Sequence, residues 1–226
     1  GFAVDLVRDR KLKNKHQLFT SGTPLSIYFV AYFIMNCMLM MIPVLVGILL
    51  MVAMNVGPLI GAALPITVVF MVVYVPLTIL ASFVGSYLFT EPDTCQSQLP
   101  PAINLAGFMP YIAVGVIEAA GHSETAVVLH FVLCIFDPPY TLLGALYYIF
   151  RLNAVAAAQK AAGIDVEVTT SSYFSDEITN THLLPTLVIM IMQCFVFAGL
   201  LWVIEFGWKK VTNKKAATEA VENYRS

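Results

Sequence analysis

Met54-Asn55-Val56-Gly57-Pro58-Leu59-Ile60-Gly61-Ala62-Ala63-Leu64-Pro65 divides a long apolar run, and its reading decides the fold. No Asp, Glu, Lys or Arg occurs from His16 to Thr90, a gap of 75 residues. A helix needs about 20 apolar residues to cross the hydrocarbon core of a bilayer, so the gap has room for two to three crossings. Asn55, the Gly57-Pro58 pair, Gly61 and Pro65 are turn residues and break the run once. The spacing predicts two spanning helices, over about 24–54 and 64–89, with a tight connection between them. Thr23 suits the N-cap of the first and Pro24 its first turn. Pro43 and Pro76 fall inside these helices, which a membrane bundle tolerates when neighbours satisfy the freed carbonyls.

The whole chain agrees with this local reading. Its 226 residues are 59% hydrophobic and 12% charged, with a mean hydropathy of +0.81. A soluble domain carries roughly a quarter charged residues. So much apolar surface with so little charge excludes an ordinary soluble enzyme, a disordered tail and a nucleic-acid-binding domain. Two more uncharged stretches predict spans over about 98–120 and 183–206. Residues 1–7 read as the end of an earlier helix, and no secretory leader pattern is present.

The apolar stretch 125–150 reads differently. Asp137-Pro138-Pro139 breaks it in the middle, and two prolines do not fit inside one continuous helix. An acid at mid-membrane is costly unless it faces water or a partner. The stretch therefore predicts a re-entrant hairpin rather than a span. Charge parity gives the same answer. Arg8, Arg10, Lys11, Lys13 and Lys15 form one basic cluster; Lys209, Lys210, Lys214, Lys215 and Arg225 form another. Basic residues collect on the cytoplasmic side, so an even number of crossings separates the clusters. Four spans plus a hairpin meet that condition, placing a loop over 151–182 outside and a cytoplasmic linker over 209–226. The expected fold class is all-α, a polytopic helical membrane bundle with a re-entrant helical hairpin and a short cytoplasmic helix.

Catalytic and metal motifs are missing. The sequence contains no G-x-x-x-x-G-K-[ST] or G-x-G-x-x-G phosphate loop, no C-x-x-C and no H-E-x-x-H. Cys37, Cys95, Cys134 and Cys194 read as small buried hydrophobes, and the clustered methionines as adaptable helix packing. Among polar residues, Asp137 either caps the second hairpin helix or faces a cavity. Glu118 is an intramembrane acid close enough to the end of its helix to reach the interface. Glu205 reads as an interfacial residue paired with Lys209, four residues on. The stretch from Arg8 to Thr20 has helix-forming residues and ends at Ser21-Gly22. Leu12 and Phe19, seven apart, share one face. That segment is either a lipid-headgroup anchor or a short helix that docks on a partner.

Within it, Asp9-Arg10, Lys13, Lys15-His16, Phe19 and Ser21-Gly22 resemble the cytoplasmic stretch between the second and third helices of A-subfamily ABC transporters. Leu18 departs from the glutamine of that pattern. Pro139-Tyr140-Thr141-Leu142-Leu143-Gly144-Ala145-Leu146 is similar to the Pro-x-x-x-Leu-Gly-x-Gly-Leu after the family's fifth helix. Here Ala145-Leu146 lacks the second glycine, and Asp137-Pro138 reads as a local insertion. The resemblance implies most of one type-2 exporter transmembrane domain, with Asp9, Arg10, Leu12, Lys13, Lys15, His16 and Phe19 on its coupling helix. It places Asp137, Pro138, Pro139 and Gly144 in the re-entrant hairpin. It further implies a lipid or lipid-like substrate, and a nucleotide-binding domain using ATP and Mg and a second transmembrane half, both beyond this segment. ATP hydrolysis would belong to the full-length transporter, since no catalytic, cofactor or metal residue is expected here. The reading from residues alone leaves a second class open, part of a channel or secondary carrier with Asp137 and Glu118 as ion or proton sites. The carrier reading calls for repeated, interrupted helices, and only one interruption and no repeat occur.

Overall fold

The computed structural model describes residues 2–12, 25–164, 166–175 and 182–223. Among them are seven α-helices and no strand: α1 Phe2–Lys11, α2 Leu25–Ala53, α3 Leu64–Gly85, α4 Pro92–Ala119, α5 Ser123–Phe136, α6 Pro138–Ala161 and α7 Leu183–Asn223. Five of these helices are long and apolar enough to cross a membrane: α2, α3, α4, α6 and α7. The protein is a polytopic helical bundle.

Helix α3 is the centre of the bundle. It packs on α7, α2, α6 and α1, and Phe70, Leu77, Ile79 and Phe83 on it are fully buried. Helix α2 lies at the periphery and leaves most of its apolar side chains exposed, as a helix facing lipid would. The α2–α3 connection falls where the turn residues put it. Asn55 takes φ 53° and Gly61 φ 66°, left-handed backbone that Gly and Asn adopt most readily, and short 3-10 turns fill the rest.

The bundle has two distinct ends. At one, α1, the start of α2, the end of α3 and the start of α4 converge: Tyr28 donates to Asp9 (2.9 Å), Arg10 to the Ser86 carbonyl, and Lys11 pairs with Glu91. At the other end Asn153 donates to the Pro58 carbonyl (3.1 Å), and the loop after α6 lies against the α2–α3 connection, with Thr170 bonded to the Ala62 carbonyl (3.4 Å). Thus the first basic residues and the loop 166–175 sit at opposite ends. Chain direction reverses at each connection, so Glu205 of α7 returns to the first end, where it accepts from Tyr87.

Three boundaries differ from the sequence expectation. Helix α4 starts at Pro92 rather than near residue 98, because Pro92 suits the first helical position and Asp93 favours the first turn. Residues 151–161, expected in the outside loop, continue α6. Leu152–Ala162 contains no Gly or Pro and is rich in alanine, the strongest helix former; the helix stops only before Gly163, at φ 82°. Residues 209–223, expected as linker, prolong α7.

Candidate functional site

Helices α5 and α6 form the least regular part of the bundle. Pro139 and Leu143 of α6 lie against Gly107, where a Cβ would meet the Pro139 carbonyl oxygen at 3.2 Å. Further along, Tyr147 lies beside Gly115 and donates to Glu118 (2.7 Å). Helix α6 therefore runs parallel to α4, but it begins level with the middle of α4 and ends beyond it. Helix α5 comes back from the end of α4 to that same middle level. The pair enters the bundle and leaves it at the same end, with Asp137 at the tip. Asp137 occupies the N-cap of α6, and its side chain makes no capping hydrogen bond there. Its carbonyl accepts from the Tyr140 N–H (3.2 Å) and the Thr141 hydroxyl (3.2 Å).

Above the tip lies a buried polar core that the sequence reading missed. His130 is fully buried. Its Nδ1 is 2.8 Å from the Tyr140 hydroxyl, and its Nε2 is 3.0 Å from Thr186 Oγ1. The Thr186 hydroxyl donates to the His182 carbonyl (2.7 Å), so toward the ring it can only accept. That places the ring proton on Nε2 and makes Tyr140 the donor to Nδ1. The chain Tyr140 to His130 to Thr186 to the His182 carbonyl spans α6, α5 and α7 with every member paired. Tyr148 closes the ring from the side, edge-on at 4.6 Å between centroids. Gly144 is required beneath it, since a Cβ there would sit 2.8 Å from His130 Cε1 and 3.0 Å from Tyr140 Cζ. A lone histidine ten residues before a tyrosine gives no periodic signal, so only packing reveals the core.

Glu118 is engaged rather than free. Besides Tyr147, it pairs with Arg151 of α6, whose guanidinium also lies 5.7 Å from the Tyr148 ring centroid. The carboxylate therefore clamps α4 to α6 near the end that carries the loop 166–175. In that loop Tyr173 is buried against Asn153 (3.1 Å); burial raises its pKa, offset in part by the Asn153 hydrogen bond.

At the opposite end, Asp9 and Arg10 belong to α1, not to a separate coupling helix. Arg10 lies 4.3 Å over the Tyr87 ring while it donates to Ser86, and Tyr87 in turn donates to Glu205. Leu12 is exposed. Lys13, Lys15, His16 and Phe19 lie outside the described residues, as does the Lys209 side chain expected opposite Glu205.

Helices of spanning length, an apolar lateral surface and a helix pair broken at mid-height define an integral multi-pass membrane protein. A family model described as ABC-2 family transporter protein matches residues 1–204. The chain belongs to that family and is membrane domain of an ABC transporter. No curated protein matches it.

Proposed function

We propose that this chain is the membrane-spanning part of an ATP-driven lipid transporter of the A subfamily, an exporter or flippase. It forms the lipid pathway and couples to a separate nucleotide-binding domain and a second transmembrane half, with ATP and Mg bound in that domain. Both termini of the segment face the cytoplasm, and the α5–α6 pair is re-entrant from the outside.

The observation that carries this reading is the family match over residues 1–204 on a bundle whose two ends differ in kind. The end bearing Arg8, Arg10 and Lys11 also receives α3, α4 and α7, so a partner pressing on this end would act where four helices meet. In this reading Leu12 and Phe19 are the apolar anchors that meet the nucleotide-binding domain and transmit force as rigid contacts. Glu118 weakens the ion-site alternative, because its carboxylate is already held by Tyr147 and Arg151.

The test is lipid movement in proteoliposomes holding the full-length protein and a fluorescent lipid. Translocation that needs hydrolysable ATP is expected. Gradient-driven ion flux without ATP, reduced by Asp137→Asn, would establish the channel or carrier instead. In the same assay Phe19→Ala should lower transport by roughly tenfold or more, as truncating a buried interface anchor does, with Lys13→Ala changing it little. Equal effects that vanish at high salt would make the segment an electrostatic lipid anchor.

A further inference from the structure

Helix α5 ends because two prolines follow Asp137. In a continuous helix, the N–H groups of residues 138 and 139 would bond the carbonyls of Cys134 and Ile135. Prolines have no N–H, and the last backbone bond of α5 runs from Asp137 to the Leu133 carbonyl (2.8 Å). The break thus orphans the Cys134 and Ile135 carbonyls halfway along α4, where a bilayer offers no water to satisfy them. Gln193 of α7 takes both. Its Nε2 donates to the Cys134 carbonyl at 2.7 Å and to that of Ile135 at 3.3 Å; its Oε1 lies 3.1 Å from the Thr141 hydroxyl of α6, whose one proton is shared with the Asp137 and Cys134 carbonyls. Gln193 is buried within the apolar run Met190-Ile191-Met192 and Cys194-Phe195. Thr186, seven positions earlier on the same face of α7, bonds His130. One helix thus grips both arms of the pair at two heights.

We infer that Gln193 is a positioning residue that sets the depth of the helix-pair tip, so that α5 and α6 travel with α7 as one body. The far end of that body is tied by Glu205 to Tyr87 in the short 3-10 turn that follows α3. This deepens the proposed transport role, and only its transport readout rests on that reading.

The experiment uses the full-length protein in lipid nanodiscs, with spin labels on cysteines replacing Phe136 at the tip and Val203 on α7, both exposed. Pulsed electron resonance should give a single distance, unchanged by ATP or by trapping after hydrolysis. Gln193→Leu should split it, raising the detached population on the order of tenfold, the scale of an intramembrane hydrogen-bond loss. Thr141→Val, which leaves Gln193 on the two carbonyls, should keep it single. A single distance in Gln193→Leu overturns the inference, and so does an equal split in Thr141→Val. Should Gln193→Leu fail to accumulate, adding Pro138→Ala and Pro139→Ala restores the missing N–H groups; recovery supports the inference and no recovery overturns it. In the proteoliposome assay, Gln193→Leu should slow transport while leaving basal ATP hydrolysis in place, and normal transport would count against the positioning role. A protein that moves no lipid yet splits its distance in Gln193→Leu loses the transport reading and retains the positioning role.

Discussion

The two polar regions of this bundle solve one problem in different ways. The core around His130 joins uncharged partners through hydrogen bonds and is packed against Tyr148 and Gly144. The end that carries α1 joins charged ones: Asp9, Arg10, Lys11 and Glu91 at or beside helix termini, and Glu205 within α7. The difference follows from desolvation. Burying an ionised group costs far more than burying a hydroxyl that finds its hydrogen bond, so charges gather where water reaches them and neutral hydrogen bonds hold the interior. The first region therefore stabilises strongly and tolerates little change. The second is adjustable.

Sidedness gives the largest expected contrast, because it is all or none. A cysteine at exposed Ser171 should react with an impermeant reagent from outside, and one at Leu12 only after permeabilisation. The reverse pattern would invert the orientation of the whole bundle. Next comes His130→Leu, which strands the Tyr140 hydroxyl in the interior and should cost about 3 kcal/mol, near the upper end for a buried unsatisfied group. Thermal unfolding in detergent measures it, and an effect no larger than that of an exposed change would deny the core its weight.

Gly144→Ala should cost about 2 kcal/mol by overpacking, whereas Gly199→Ala, with nothing within 4 Å of the new Cβ, should be neutral or slightly stabilising. Equal midpoints for the two would show that the His130 ring moves aside. The smallest effect belongs to the end that carries α1. Lys11→Met removes an exposed ion pair with Glu91 and should shift stability by no more than about 0.5 kcal/mol. A large loss there would erase the contrast between the regions.

Sequence alone was enough for the membrane class, the position of the α2–α3 turn and the break at Asp137. Charge absence, hydropathy and proline chemistry are local properties that survive without knowing who packs on whom. The 151–161 boundary was misplaced for a local reason too: Arg151 looked like a membrane edge, while the alanine-rich run behind it favoured more helix. Tertiary structure alone decided the partners. That Glu118 meets Arg151, that Tyr87 meets Glu205 and that Gln193 reaches two carbonyls near position 134 are contacts between residues tens of positions apart. Each depends on the relative height of helices, here the half-height start of α6 against α4. Hydrophobic periodicity specifies which face of a helix is buried, and leaves its slide along a neighbour to the packing of particular side chains such as Gly107 against Pro139.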